Sequence, residues 1–125
     1  MGRFRKILVD FDGVVHGYES GWQGVENIPD PPVPGVKEAI AKIREEHQVY
    51  ILSTRGVEDI GVAAIQKYLD LHGIEVDGIA KEKISASLLI DDRALRFNGD
   101  WNEVLEFLED PDCFTPWNKL KKGDE

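Results

Sequence analysis

The sequence predicts an α/β fold, a doubly wound parallel sheet held in one domain, and three observations predict it. Short apolar runs (KILVD, VYIL, SLLI) alternate with stretches of helical period, the pattern of strands joined by crossover helices. The runs are apolar without alternation, as strands buried on both faces are. Each also ends in an acid or a hydroxyl: Asp10 and Asp12, then Ser53 and Thr54, then Asp91 and Asp92. In a parallel sheet such strand ends converge on one crevice.

Element by element, the first strand runs from Phe4 to Asp10. Gly13 to Pro34 follows neither period and carries four prolines and four glycines. A loop of that length in a compact domain is ordinarily a lid or binding loop, and Tyr18, Trp22 and Val25 argue against disorder. A helix starts near Pro34-Gly35 and places Val36, Ala39, Ile40 and Ile43 on its inner face before His47. Val49 to Leu52 is the second strand. Glu58 and Asp59 put negative charge where the next helix dipole favours it, with Ile60, Ala63, Ala64, Tyr68 and Leu71 as the expected buried stripe and Gly73 as the stop. The third strand is Val76 to Ala80, interrupted by Asp77 and Gly78. Leu88 to Ile90, wholly apolar, is expected inside the sheet. Asp100, with Glu103 three residues on, caps a last helix whose inner face would be Trp101, Val104, Leu105 and Leu108. Pro111 ends it, and the tail, 111–125, is expected to be loosely ordered.

Length and charge narrow the function classes. A chain of 125 residues makes one core, so the expectation is a single domain over 1–125 with no internal repeat. Fifteen basic against 24 acidic residues disfavours a grip on long nucleic acid through its phosphates. One cysteine, Cys113, allows no internal disulfide and fits a reducing cytoplasm. No apolar run reaches the ~20 residues of a membrane span. The start reads as a strand rather than a signal sequence, and Lys6 stands where a myristoylation site needs Ser or Thr. A cytoplasmic, unanchored protein is expected.

Carboxylates gathered at one sheet edge repel one another unless a cation lies among them, and all-oxygen ligands suit a hard ion, Mg²⁺ before Zn²⁺. An aspartate can also attack phosphorus, dividing one hard displacement into two easier ones. Asp10, at the strand end, is placed to do so. Asp12 is placed to protonate the leaving oxygen and later deprotonate water, a role that needs a pKa raised by a closing lid. Ser53 or Thr54 offers a hydroxyl, and Lys81 or Lys83 an ammonium, to phosphoryl oxygens.

This ordered set resembles the haloacid dehalogenase-like (HAD) phosphatase superfamily over roughly residues 4 to 108. Asp10-Phe11-Asp12-Gly13-Val14 matches its first motif, which implies Asp10 as nucleophile and metal ligand, and Asp12 as acid/base that gives the metal its backbone carbonyl. VYILS matches the second, with Ser53 preferred over Thr54. Lys83 stands eight residues before Asp91, the spacing of the third motif, although Ile84 replaces its usual proline and keeps Lys81 in play. Asp91 and Asp92 match the fourth, the second acid being the direct metal ligand. LLIDDRALRFNGDW is similar to the same region of small phage and bacterial members and, more distantly, of deoxyribonucleotidases. The resemblance implies a Mg²⁺-dependent phosphomonoesterase acting on a phosphorylated small molecule. A nucleotidase or polynucleotide end phosphatase is the alternative, and a catalytically idle binding module the reading from another class.

The gaps between motifs have no room for an inserted cap. The site is therefore expected to be open, shielded by the 13–34 loop or by a partner subunit in a homo-oligomer. Trp22, at the loop tip, either covers substrate or folds onto the domain edge. Thr54, Arg55 and Trp22 are the candidate substrate contacts, with pairing to the acids the preferred role for Arg55 and Arg93. His16, close after the first motif, either lines the site or, the preferred reading, faces solvent; His47 and His72 are expected to sit at helix C-termini.

Overall fold

A computed structural model describes residues 5–119. Strands β1 (Lys6–Asp10), β2 (Gln48–Leu52), β3 (Gly78–Ala80) and β4 (Leu88–Ile90) form one sheet in the order β3-β2-β1-β4, every pairing parallel. Helices α1 (Val36–Ile43), α2 (Asp59–Leu71) and α3 (Trp101–Leu108) intersperse with them, and short 3-10 turns occupy Thr54–Val57 and Trp117–Lys119. The chain divides into two compact units at the Asp91–Asp92 peptide bond. Phe4 and the end of the tail lie outside the described residues. Among those described, no helix is long and apolar enough to cross a membrane.

In the first unit the order of the strands follows from where each is added. β2 and β3 extend the sheet on one side of β1, and β4 joins the other side. The crevice between the carboxyl ends of β1 and β4 is the place where such a reversal leaves room for a ligand. Ile7, Leu8 and Val9 are all buried, as a strand covered on both faces requires. Ile7 and Val9 share a core with Val49 and Ile51 of β2, Ile40 of α1, and Ile65 and Leu69 of α2.

Three expectations are corrected here. The buried face of α2 is Gly61, Ile65, Tyr68 and Leu69, whereas Ile60 and Leu71 are exposed. With Ala63, Ala64 and Ile28 they line an open groove of about 360 Å³. β4 is an edge strand, with Leu88 exposed and Leu89 and Ile90 half-buried, because the sheet ends there. In the second unit Asp100 does cap α3, its carboxylate accepting from the Asn102 N–H at 2.8 Å. Yet Trp101, Leu105 and Leu108 are exposed, and only Val104 is half-buried.

β3 also begins later than its sequence predicts, and Asp77 is the reason. Its Oδ2 accepts from the Val49 N–H at 2.7 Å, and the Arg44 guanidinium clamps both carboxylate oxygens. Gly78 then lies opposite Tyr50, where a Cβ would come within 3.0 Å of the tyrosine ring.

Candidate functional site

Parallel pairing brings the strand ends to one level. Asp10 is in register with Leu52, and Val9 with Ile90, so Asp91 follows at the height of Asp10. Asp10, Asp91 and Asp92, all half-buried, each offer a carboxylate oxygen within 4.8 Å of the other two. The position of Asp92 follows from the end of β4, one peptide bond beyond Asp91. At such a separation like charges repel by roughly 1 kcal/mol per pair in water and ~4 kcal/mol at the dielectric of a protein surface. Asp92 Oδ1 is moreover buried with no hydrogen-bond partner among the described residues. An orphaned carboxylate oxygen inside a like-charged group is unfavourable unless a cation satisfies it. The donor set, oxygen throughout, fits a hard divalent ion.

Asp12 sits beside this cluster in a different environment. Arg55 Nε donates to both its oxygens, at 2.9 and 3.2 Å, and His16 Nδ1 lies 2.8 Å from Oδ1. The Asp30 backbone N–H donates to His16 Nε2 at 3.1 Å, so Nε2 is the acceptor nitrogen and Nδ1 carries the proton given to Asp12. Burial pushes the Asp12 carboxyl upward, but the hydrogen bonds from His16 and Arg55, with the charge of the guanidinium, outweigh it. They hold Asp12 below the ordinary carboxylate range. The expected rise under a closed loop is thus reversed, because what the loop packs against Asp12 is a guanidinium rather than an apolar wall.

Arg55 is fully buried. Its Nη1 donates to the carbonyls of Gly24 and Val25 at 2.7 and 2.8 Å, and Trp22 stacks over the guanidinium at 4.5 Å. In this arrangement Arg55 pairs with Asp12 and the loop. Trp22 remains half-exposed. Ser53 is buried and its Oγ accepts from the Arg55 N–H at 3.1 Å, starting the 3-10 turn; Thr54 is exposed on that turn. Lys81 Nζ pairs with Asp59 Oδ1 in the first turn of α2, and Lys83 is exposed in the 81–87 connection.

His16 corrects its expectation outright, being fully buried and ringed by Phe11, Tyr18 and Tyr68. It is tied to Asp12 and Pro32 by isolated bridges. Tyr68 in turn donates its hydroxyl to the Asp30 carbonyl at 2.8 Å. Sequence reasoning missed Asp30 and Tyr68 as neighbours of the first motif, and ranked the inward placement of His16 second. The available signal was Val14-Val15, an apolar pair directly before His16; Val15 is fully buried. Comparison of the chain with protein-family models, curated proteins and solved structures finds no match.

Proposed function

We propose that this chain is a Mg²⁺-dependent phosphomonoesterase of HAD type with a doubly wound core and no inserted cap, acting on a phosphorylated small molecule. The observation that carries the reading is the convergence of Asp10, Asp91 and Asp92 at the junction of β1 and β4, with a buried, unpartnered oxygen on Asp92. The strand order supports it, since the cluster falls where a ligand crevice is expected.

Asp10, Asp91 and Asp92, with the Asp12 carbonyl, would hold the ion. Bound there, it would neutralise charge on the phosphoryl oxygens and on the carboxylates themselves. An Asp10 oxygen attacks phosphorus, the bond to the leaving oxygen breaks, and an aspartyl-phosphate remains on Asp10. Water then attacks that phosphorus and gives its proton to Asp12, which His16 and Arg55 hold ionised and oriented; the bond from the Asp10 oxygen to phosphorus breaks, inorganic phosphate leaves, the Asp10 carboxylate is restored and Asp12 returns its proton to solvent. Ser53 and Lys83 are assigned to the phosphoryl oxygens. An ionised Asp12 is a ready base and a reluctant acid, so substrates whose leaving oxygen departs without protonation are favoured.

Nucleotidase activity is the second reading, favoured by Trp22. One ring face rests on Arg55 while the side chain stays half-exposed, a platform for a base. Hydrolysis of an aryl phosphate with and without Mg²⁺, followed by a screen over nucleotides and sugar phosphates, tests both. No turnover of any phosphate ester with Mg²⁺ bound would leave the idle binding module.

A further inference from the structure

We propose that Arg55 is a positioning residue that couples the docking of the 18–30 loop segment to the placement of Asp12. One guanidinium carries both duties. Nε holds the Asp12 carboxylate, while Nη1 holds the loop through the Gly24 and Val25 carbonyls and Trp22 covers its face. A second strand of the same coupling passes through His16, which takes the Asp30 N–H on one ring nitrogen and serves Asp12 with the other. The loop therefore grips Asp12 at two points, from Gly24-Val25 and from Asp30.

The packing leaves this arrangement little slack. Arg55 is fully buried and its backbone is pressed against Gly61, where Val25 also packs: a Cβ on Gly61 would lie 1.7 Å from the Arg55 oxygen and 2.9 Å from Val25 Cγ1. A planar fork serves two partners in fixed directions, which an ammonium cannot do. Undocking the loop removes two acceptors and the Trp22 ring from Arg55 and the Nε2 partner from His16. Asp12 then loses its fixed orientation at the moment the loop opens. Entry of substrate past an open loop and activation of water by Asp12 are thereby separated in time.

The catalytic half rests on the reading of Asp12 as the base; the structural half does not, and the test keeps them apart. Hydrogen exchange over residues 18–30 is measured in the wild type, Asp12→Ala, Asp10→Asn, Arg55→Lys and Trp22→Ala, with imidazole ¹⁵N shifts reporting the His16 tautomer. Asp12→Ala and Arg55→Lys should raise exchange in the segment about tenfold or more, with Asp10→Asn at the wild-type level. Trp22→Ala, a change at a half-exposed side chain, should raise it less and shift His16 from the single Nδ1–H form to a mixture. Wild-type exchange in Asp12→Ala, or an unmoved tautomer in a loosened Trp22→Ala, overturns the coupling. With Mg²⁺ and an aryl phosphate, Arg55→Lys should lower kcat while leaving Mg²⁺ affinity unchanged. Absence of hydrolysis in the wild type would defeat the phosphatase reading and leave the exchange result to decide the coupling alone.

Discussion

Gly61 and the Arg55 carbonyl stand so close that a Cβ on Gly61 would fall 1.7 Å from that oxygen. The first turn of α2 therefore abuts the 3-10 turn after β2, and no side chain fits between them. Gly61→Ala should cost about 2–4 kcal/mol, from overpacking that forces the backbone of either turn to move. Urea denaturation measures it. A cost below ~0.5 kcal/mol, the range of an ordinary surface change, would mean that the two turns slide apart freely.

For the nucleophile and base, Asp10→Asn should abolish Mg²⁺-dependent hydrolysis of an aryl phosphate, since an amide is a poor nucleophile and a poor ligand. Asp12→Asn should behave differently. The phenol should appear in a rapid burst of one equivalent, followed by steady turnover about 10² to 10⁴ times slower than wild type. Rapid-mixing kinetics decides: equal slowing of burst and steady state would place Asp12 in the first half-reaction instead.

At the cation site, Asp92→Ala should eliminate Mg²⁺ binding in calorimetry, and Asp91→Ala should weaken it. Without the ion both variants should melt at or above the wild-type temperature, because each removes one member of a like-charged group. Unaltered Mg²⁺ affinity in the two variants would move the site elsewhere.

Tyr68 provides a test at high pH. Burial first, then the charges of Asp30 and Asp12, push its phenol well above the ordinary value. The folded chain thus keeps a proton that the unfolded chain releases near pH 10, so the contribution is whole below about pH 10 and is lost as pH rises through the folded value. Tyr68→Phe should cost about 1 kcal/mol at neutral pH, for the lost hydrogen bond to Asp30. Above pH 10 its stability should decline less steeply than the wild type's. Parallel declines in urea midpoints from pH 7 to 11 would contradict the burial of this hydroxyl.

What the sequence discloses and what it hides divide along physical lines. β1 and β2 were legible because apolar runs ending in Asp10 and Ser53 have one reading in a parallel sheet. The α2 helix was legible in extent but not in rotation. It carries two apolar stripes, and periodicity cannot say that Gly61, demanded by its closeness to Arg55, turns Ile65 and Leu69 inward and Ile60 outward. Leu88–Ile90 reads alike whether central or at an edge. For Arg55, which directly follows a motif, the sequence prefers pairing with the acids over contact with substrate but does not say which acid; the partner, Asp12, and the burial of His16 come from a loop that follows no period. For the carboxylate cluster the sequence offered four acids, Asp10, Asp12, Asp91 and Asp92; the pairing of β1 with β4 sets Asp10, Asp91 and Asp92 side by side, while the Asp12 carboxylate turns to Arg55 and His16.

The strand order also has a consequence for how the chain assembles. Residues 6–80 contain β1, β2, β3, α1 and α2, a three-stranded sheet with its own core, and among the described residues β4 alone returns across the sheet to the far edge of β1. That pairing joins residues about 80 positions apart, the kind of non-local contact that forms slowly, and it brings Asp91 to the level of Asp10. A divalent ion held there would bind only chains in which the last strand has arrived, and so would draw the population toward completion in proportion to its concentration. Occupancy by such an ion would then report on maturation, separating finished molecules from those still one strand short.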